Sequence, residues 1–455
     1  MRADLNERVT RVGPATPCGN LMRQYWQPIA LLDEFNPKLD PRMAARPMKA
    51  VRALGQDFIL FRDENGQYGL LDRDCPHRGA DLAYARHEGD GIRCPFHGWK
   101  FNAAGQCTET PAEPAGSKLC QRVRQRSYPL VVRSGLIFAW LGPQDQTPPP
   151  LPALDCFEAP DSHTFAFKGM WSCNWLQAFE VGIDPAHTSF LHRFFSDETL
   201  DASYGRQFRG ASAGHVGGER WPMSRIMREF AQPDIRPEAT PYGMRLTTLR
   251  PMTDELMHVR ITHALFPHTF VIPLSETMTI TQMHLPVDDT HTYWVSVFTS
   301  FADPVDKDTM RNQRLRFTQL PDYLPVSGRH NQWGFNPEEQ RTQTYLGMGE
   351  DDINVHDQWA CESMGAIADR TRENLGTSDK AIMLNRRLLL QAIDAVEAGQ
   401  SPMGFAQAHV AATRLGPDTV DGIAPASDWE HWWQRAVSAK REAAPWRNPE
   451  EAIPS

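Results

Sequence analysis

Short apolar runs separated by turn-forming residues dominate the chain between about residues 45 and 147. The runs FILF and YGLL flank DENGQ, whose Asn65-Gly66 pair favours a tight hairpin turn. The runs LVV and LIFAWL flank Arg133-Ser134-Gly135 in the same way. This spacing predicts a block of antiparallel β-hairpins.

A proline-rich stretch, QDQTPPPLP at residues 144–152, follows this block. Proline lacks an amide hydrogen and fixes its φ angle, so the stretch continues neither a strand nor a helix and predicts a linker. We therefore expect three parts. Residues 1–44 are an N-terminal segment that packs on the largest domain. Residues 45–147 are the hairpin block, and residues 153–455 are the C-terminal domain.

The C-terminal domain combines two periodicities. MRLTTLRPM, LMHVRITHALF, TMTITQMHLPV and TYWVSVFTSF alternate or run apolar, which is typical of antiparallel strands. DKAIMLNRRLLLQAIDAVEAG has helical spacing, with Asp379 as a candidate N-cap and Gly399 beyond its end, and DWEHWWQRAV predicts a terminal helix. Because strands group with strands and helices with helices, the sequence predicts an α+β fold.

Composition narrows the range of functions. A chain of 455 residues has room for two or three domains, and its net charge of −9 argues against nucleic acid as the main partner. No run of about eighteen apolar residues predicts a transmembrane helix. The charged start, MRADLNERVTRVG, lacks the apolar centre of a signal peptide, so we expect a cytoplasmic protein.

The cysteines fall into two groups. Eight in so long a chain do not suggest a disulfide scaffold, and most are predicted to be small core residues: Cys18, Cys107, Cys120, Cys156, Cys173 and Cys361. Cys75 and Cys94 differ, because each is followed by a nearby histidine. The pattern is Cys75-x-His77, sixteen residues, then Cys94-x2-His97.

This alternation of thiol and imidazole separates two kinds of metal site. Zinc fingers usually place Cys with Cys and His with His. A [2Fe–2S] cluster with two Cys on one iron and two His on the other needs one of each from both turns. The pattern therefore predicts a Rieske cluster rather than structural zinc. CPHRGADL and CPFHGWKF closely resemble the Rieske motif of the Rieske non-heme iron oxygenases.

A second pattern follows in NWLQAFEVGIDPAHTSFLHRFF, with Asp184, His187 and His192 spaced D-x2-H-x4-H. Two imidazoles and one carboxylate on one face of ferrous iron leave positions open for O2 and substrate. The histidines are about 140° apart on an ideal helix, so a π-type bulge or a helix end must lie between them. The stretch resembles the mononuclear-iron motif of the same family, and Asp184 before Pro185 also suits a helix cap.

The carboxylate ligand is expected in GEDDINVHDQWACESMGAIADRTRENLGTSD, where the candidates are Asp351, Asp352, Asp357 and Asp369. This stretch resembles the phthalate dioxygenase subgroup, and the resemblance implies Asp357 as the ligand. His356 stands where that pattern usually has Gln and is an alternative donor. The likeness extends from VGPATPCG near the N-terminus, where Cys18 replaces a frequent Met, to LGTSD.

The resemblance gives Asp184 a catalytic role. In the family, the matching Asp lies between a Rieske His of one subunit and an iron His of the next. Such a bridge is physically reasonable, because a metal-bound His commonly donates its second N–H to a carboxylate. Glu180 occupies the position of another polar residue near the iron ligands.

Arginines are the candidate anchors for an acidic substrate, since a guanidinium offers a carboxylate two parallel N–H bonds. Arg245 and Arg250 in MRLTTLRPM are five apart, so they point to opposite faces of a strand and one of them can face a pocket. The resemblance places a substrate-binding Arg near Arg250 and a second near Arg206 or Arg209.

The resemblance as a whole implies the oxygenase component of a dioxygenase that hydroxylates an aromatic carboxylate of the phthalate, isophthalate or substituted benzoate type. It implies a Rieske β-domain with a [2Fe–2S] cluster, a helix-grip catalytic domain with mononuclear Fe(II), and head-to-tail trimers or stacked hexamers. No G-x-G-x-x-G follows a predicted strand, so a separate flavin- or ferredoxin-type reductase must bring electrons from NAD(P)H.

Two other functions remain open. A monooxygenase or O-demethylase of the family acting on an aromatic acid would use the same metal ligands. A Rieske electron-transfer protein, which belongs to a different class, would not need the roughly 300 residues that follow the cluster motif.

Overall fold

A computed structural model describes residues 1–197, 213–349, 353–404 and 416–447 of the chain. The α-helices in these ranges are α1 (Ala3–Thr10), α2 (Pro17–Met22), α3 (Arg42–Ala45), α4 (Leu119–Arg122), α5 (Asp155–Glu158), α6 (Trp175–Gly182), α7 (Met223–Glu229), α8 (Lys307–Leu315), α9 (Pro337–Thr342), α10 (Asn354–Ser363), α11 (Lys380–Glu397) and α12 (Trp429–Glu442). Short 3-10 segments lie at Leu32–Phe35, Leu82–Tyr84, Asp161–His163, His187–Ser189, Arg329–Gly334 and Thr377–Asp379.

The strands of the N-terminal third form three small antiparallel sheets. They are β1 (Trp26–Leu31), β2 (Met48–Ala53), β3 (Gln56–Arg62), β4 (Tyr68–Asp72), β5 (Arg86–Glu88), β6 (Gly91–Arg93), β7 (Lys100–Asn102), β8 (Cys107–Glu109), β9 (Leu130–Arg133) and β10 (Leu136–Trp140). The sheet orders are β2-β3-β4, β5-β6-β7-β8 and β1-β10-β9.

Both predicted hairpins are present in this region. Strands β3 and β4 pair across the Asn65-Gly66 turn, where Gly66 has a φ of +82°. Strands β9 and β10 pair across Ser134 and Gly135, with φ values of +50° and +76°. In the second hairpin these two successive positive φ values match the twist of a two-residue turn. The first hairpin differs, because residues 63–67 connect β3 to β4 as a longer loop.

The later strands form one large antiparallel sheet and two small ones. They are β11 (Thr164–Trp171), β12 (Ala213–Val216), β13 (Glu219–Pro222), β14 (Asp234–Thr240), β15 (Gly243–Pro251), β16 (Leu256–Leu265), β17 (Thr269–Pro273), β18 (Met278–Pro286), β19 (Thr292–Ser300), β20 (Thr318–Gln319), β21 (Leu324–Pro325) and β22 (Val420–Pro425). The large sheet has the order β11-β19-β18-β17-β16-β15-β14, with β22 added against β16.

Helix α6 lies where the metal-site pattern begins. It packs on β17, β18 and β19 of the large sheet and on α10. Its first turn is capped by Asn174, whose Oδ1 accepts a hydrogen bond from Leu176 N at 3.1 Å. This packing places the chain that leaves α6 beside the start of α10. The α+β fold with antiparallel sheets agrees with the sequence prediction.

Helix α11 occupies the predicted segment, and Gly399, with a φ of +71°, follows its end. Asp379 occupies the N-cap position of α11, as predicted, but its side chain does not bond to the first turn of the helix, because its carboxylate accepts from Gly376 N at 2.6 Å. The predicted terminal helix is α12, which packs on β22 and β16.

The N-terminal segment contacts both other parts of the chain. Asn174 donates to the carbonyl of Thr10 at 2.9 Å, which fixes α1 against the start of α6. The buried Glu34 carboxylate pairs with Lys168 of β11 at 2.7 Å and with Lys49 of β2. These bonds join the N-terminal segment, the hairpin block and the large sheet. No helix of the described ranges has the length and apolar character needed to cross a membrane.

Candidate metal centres

The two Cys/His turns have the same backbone geometry despite their different spacing. In each turn the Cys amide donates to the carbonyl five residues on, and the Gly amide four residues on donates back to the Cys carbonyl. The bonds are Cys75 N to Ala80 O at 2.8 Å, Gly79 N to Cys75 O at 2.8 Å, Cys94 N to Trp99 O at 2.9 Å and Gly98 N to Cys94 O at 3.0 Å. The two turns therefore present their side chains as a matched pair.

The side chains of these turns converge. The rings of His77 and His97 lie 4.3 Å apart between centroids, at 74° to each other, and His77 stacks on Trp99 at 4.3 Å. Both Cys side chains are buried, and burial raises the pKa of the Cys75 thiol to about 11. His77 Nδ1 is buried without a hydrogen-bond partner among the described residues. Two buried thiols beside an orphaned imidazole nitrogen suit a [2Fe–2S] cluster.

The second pattern lies on a turn and not on a continuing helix. Helix α6 ends at Gly182, and residues His187–Ser189 form one 3-10 turn. Leu191 N donates to His187 O at 2.8 Å, and the chain then leaves the helical path before His192. A helix end therefore separates the two histidines, the second of the two geometries that their spacing allows. It brings rings five residues apart to a centroid distance of 5.0 Å.

Three ligand atoms meet at this point. Each of three residues, His187, His192 and Asp357, offers one ligand atom, and these three atoms lie within 4.8 Å of one another. The two Nε2 atoms are 3.2 Å apart, and the Asp357 Oδ1 atom is 3.2 Å from His192 Nε2 and 3.7 Å from His187 Nε2. Asp357 Oδ1 is buried and accepts no hydrogen bond from any described residue. Two imidazoles and a carboxylate in this arrangement suit ferrous iron.

Burial opposes charge at Asp357 and at His187 when no cation is bound. It raises the pKa of the Asp357 carboxyl to about 6. Burial, reinforced by the neighbouring His192, lowers the pKa of His187. A divalent cation would reverse this preference, because it favours the carboxylate and the neutral imidazoles.

The remaining ligand candidates lie elsewhere. Asp369 is exposed and accepts from Thr371 Oγ1 at 2.6 Å, and the ring nitrogens of His356 face His192 and Gly349. Asp351 and Asp352 fall outside the described residues. Of the candidates that the structure describes, Asp357 is the one that meets the histidines.

Asp184 and Glu180 lie on opposite sides of this region. Asp184 Oδ1 accepts from Ala186 N at 2.8 Å, while its Oδ2 atom is 3.8 Å from His187 Nδ1. Asp184 thus closes the turn and also faces an iron-ligand candidate. Glu180 instead accepts from Arg370 at 3.0 Å and from Arg386 at 2.5 Å, which ties α6 to α11 and to the chain before it.

Two family descriptions match the chain. The Rieske [2Fe-2S] domain matches residues 34–129, and the LigXa C-terminal domain like family matches residues 139–450. The chain belongs to the Rieske non-heme iron oxygenases. It is an oxidoreductase that carries a Rieske cluster and a mononuclear iron.

Known proteins resemble this Rieske oxygenase along most of its length. The phthalate 4,5-dioxygenase oxygenase subunit of Pseudomonas putida is 31% identical over an alignment of 451 residues, which covers 96% of each chain. The 5,5'-dehydrodivanillate O-demethylase oxygenase subunit of Sphingobium sp. (strain NBRC 103272 / SYK-6) is 31% identical over 88% of this chain and 82% of its own. The solved structure of the Pseudomonas putida CBB5 NdmA QL mutant with theobromine has a TM-score of 0.56 and covers 85% of this chain and 95% of its own. Because the two sequences are 17% identical, this likeness supports the fold alone.

A cavity of about 170 Å³ adjoins the three iron-ligand candidates of the oxygenase. Its wall is mostly apolar and includes Trp171, Met227, Leu246, Phe270 and Ile280. Among the described lining residues, Arg260 of β16 is the one side chain with a permanent positive charge, and Thr248, Thr262 and Gln282 add polar groups. The cavity thus has a metal-binding end, an apolar wall and one cation.

The predicted substrate arginines have different positions. As the spacing predicts, Arg245 and Arg250 point to opposite faces of β15. Arg245 pairs with Glu238 at 2.5 Å, whereas Arg250 is fully buried. Arg250 donates to the carbonyls of Phe230 at 3.1 Å and Pro185 at 3.3 Å and is not among the residues lining the cavity. Arg206 and Arg209 lie outside the described residues.

Sequence reasoning missed Arg260. Its guanidinium donates to the Asp421 carboxylate and to the carbonyl of Pro273 at 3.0 Å. Asp421 belongs to β22, which pairs with β16 from far along the chain. The alternation in LMHVRITHALF could have identified Arg260 as a strand residue, but not which face of the sheet bears the cavity.

Proposed function

We propose that this Rieske oxygenase hydroxylates a single-ring aromatic carboxylate with O2 and reductase-supplied electrons. The observation that carries the proposal is the composition of the cavity, with an iron-ligand triad at one end and the Arg260 guanidinium in its wall. An apolar ring fits the hydrophobic wall, and a carboxylate needs a cationic partner when it leaves water.

The cavity volume supports a substrate of one ring. An apolar protein cavity of about 150 Å³ binds benzene, so about 170 Å³ suits one substituted ring better than a fused polycyclic compound. According to the names of two relatives, one acts on phthalate, which has one ring, and the other on 5,5'-dehydrodivanillate, which has two. Both compounds are aromatic carboxylates, so the names support an acid and the cavity volume supports the single ring.

The site residues follow from the same proposal. Cys75, His77, Cys94 and His97 hold the [2Fe–2S] cluster, and His187, His192 and Asp357 hold the mononuclear iron. Bound iron supplies the activation of O2 with electrons from the cluster. Arg260 orients the carboxylate, while Arg250, through its bond to the Pro185 carbonyl, supports the turn that carries His187.

Asp184 is the proposed link between the two centres. Its side chain is 22% exposed and lies 3.8 Å from His187 Nδ1, so a group from outside the chain can reach its free side. Because His77 and His97 are also partly exposed, we propose that a cluster His of a neighbouring subunit contacts Asp184 in a head-to-tail trimer or stacked hexamer. This proposal also includes three parts of the chain, residues 1–44, 45–147 and 153–455. It includes a separate NAD(P)H-dependent reductase and a cytoplasmic location as well.

A second candidate is O-demethylation or another monooxygenation, favoured by the relative named as an O-demethylase. The same ligands serve both reactions, and the position of the substrate relative to iron decides between them.

The test is O2 consumption with a surrogate reductase over phthalate, isophthalate, benzoates and methoxybenzoates, each paired with its neutral amide. We expect turnover of an acid and little turnover of its amide. Labelled O2 then separates the reactions, because a dioxygenase places two labelled atoms in the aromatic product and a ring monooxygenase places one. An O-demethylase places its labelled atom in the one-carbon fragment that leaves, so its aromatic product carries none. Equal turnover of acid and amide would contradict the carboxylate proposal.

A further inference from the structure

His356 makes two hydrogen bonds that fix the positions of its protons. Its Nε2 atom lies 3.0 Å from the carbonyl oxygen of Gly349, and its Nδ1 atom lies 3.2 Å from Nδ1 of His192. A carbonyl oxygen only accepts, so Nε2 of His356 must carry a proton. In the neutral imidazole, Nδ1 of His356 is then an acceptor.

The proton on His192 follows from this. Since Nδ1 of His356 accepts, Nδ1 of His192 donates, and Nε2 of His192 keeps its lone pair. That Nε2 atom is the one that faces Asp357 Oδ1 and His187 Nε2, at 3.2 Å from each. The opposite arrangement would point an N–H into the group of ligand atoms and prevent His192 from binding a metal.

The ring positions agree with a bond of this kind. The centroids of His192 and His356 are 5.4 Å apart and the ring planes differ by 22°. The centroid distance exceeds the 3.2 Å between the nitrogens by about two ring radii, so both nitrogens lie on the line between the ring centres. The rings thus meet edge to edge, with the hydrogen bond in their common plane. His356 is fully buried, so its own ring nitrogens have no access to solvent.

We propose that His356 is a positioning residue for the mononuclear iron, holding His192 in the tautomer that ligates through Nε2. In this arrangement His192 donates to His356, and His356 donates to the carbonyl oxygen of Gly349. The Nε2 atom of His192 then keeps the lone pair that binds the metal. His187 is held differently, because its Nδ1 atom has no hydrogen-bond partner in the described structure and Asp184 Oδ2 lies 3.8 Å away. The two ligand histidines therefore differ in how firmly their tautomers are set. This inference rests on the proposed ligand role of His192.

Substitution at 356 tests the acceptor. His356→Leu removes it, and we expect ferrous iron to bind about 10–100-fold more weakly, the usual cost of losing a hydrogen-bond partner of a ligating His. His356→Gln should bind iron within a few-fold of the original protein, because one planar amide can donate to Gly349 O and accept from His192. His356→Asn keeps an acceptor, Oδ1, near the position of the imidazole Nδ1 but cannot reach Gly349 O with its donor. Its affinity for iron should therefore lie between those of His356→Gln and His356→Leu.

The measurement is the affinity of the anaerobic, iron-depleted mononuclear site for ferrous iron by chelator competition, repeated with cobalt(II) as an optical probe. Absorption and EPR of the cluster should be the same in all variants. His163→Leu is the matched control: His163 is also buried and bonds to a carbonyl, Ala302 O at 3.0 Å, but does not line the cavity. It should leave iron affinity unchanged.

The outcomes separate this proposal from the ligand assignment. If His192→Ala keeps the iron, the ligand role of His192 is wrong. If His192→Ala loses iron but the Leu, Gln and Asn variants at 356 all bind it equally, His356 has no positioning role. Should His356→Leu fail to fold, the Gln and Asn variants decide the question between them.

Discussion

At the scale of single residues, the cavity cation carries the substrate proposal. Arg260 reaches the cavity from β16, while its guanidinium also bonds to Asp421 and to Pro273 O. Asp421 is fixed as a carboxylate, because its neighbours His258 and Arg260 hold its pKa well below the usual range despite burial. The carboxylate therefore holds Arg260 in place, and the remaining N–H capacity can bind an acidic substrate.

Replacing Arg260 should affect acids selectively. With Arg260→Gln, we expect a loss of about 1.5–3 kcal/mol for one charge-assisted hydrogen bond, or roughly 10–150-fold in KM for a benzoate-type substrate. The KM of a neutral analogue should change little. Arg245→Gln, on the other face of β15, is the control and should change neither value. If Arg250→Gln raises KM selectively and Arg260→Gln does not, the carboxylate binds at Arg250.

Asp184 tests the proposed link between the centres. Asp184→Asn keeps the shape and the hydrogen bond that closes the turn at Ala186, because the amide oxygen still accepts. It removes the anion beside His187, so turnover should fall by orders of magnitude while both metals remain bound. Iron analysis and stopped-flow reduction of the cluster check this result. Normal turnover would leave Asp184 with only its role in the turn.

At the scale of secondary structure elements, sequence patterns predicted the features whose residues are close together in the chain, such as turns. The loop at Gly66 and the Ser134-Gly135 turn form where the chain takes positive φ values, which glycine adopts without strain. The pairing of β22 with β16 could not be predicted, since DGIAP carries no signal for a partner about 160 residues away. The same limit hid Arg260 and the contact of His356 with His192, whose partners come from other elements.

The two glycines of the cluster turns give a matched pair of substitutions. Gly79 and Gly98 have similar positive φ values, +73° and +77°, so alanine at either position costs about 1–2 kcal/mol of backbone strain. A Cβ at 79 meets nothing within 4 Å, whereas a Cβ at 98 lies 2.6 Å from the Pro111 ring. Gly98→Ala should therefore lose far more of the cluster than Gly79→Ala. Acid-labile sulfide per chain measures this, and equal retention would show that strain alone matters.

At the scale of the whole molecule, the attachment of the hairpin block to the large sheet bears on the route of electron transfer between the two centres. The Glu34–Lys49–Lys168 group fixes the hairpin block to the large sheet, and burial lowers the pKa of Lys168 to about 8. Such a fixed arrangement gives little freedom for the cluster to swing towards the iron of its own chain. Transfer between neighbouring subunits needs no such movement.

Mixed oligomers distinguish the two routes. One variant, Cys94→Ser, should lack the cluster, and another, His187→Ala, should lack the mononuclear iron, so each alone should be inactive. Suppose that electrons pass from the cluster of one subunit to the iron of the next. When the two variants are co-expressed in equal amounts, about one interface in four joins an intact cluster to an intact iron. The unselected mixture should therefore recover about a quarter of the normal turnover. Purification of differently tagged chains through both tags removes the unmixed assemblies. A mixed head-to-tail trimer has one productive interface in three, so the purified trimers should recover about a third of the normal turnover. Transfer within a single chain predicts no recovery at all, since neither variant chain contains both centres, and that result would also remove the reason for placing Asp184 between subunits.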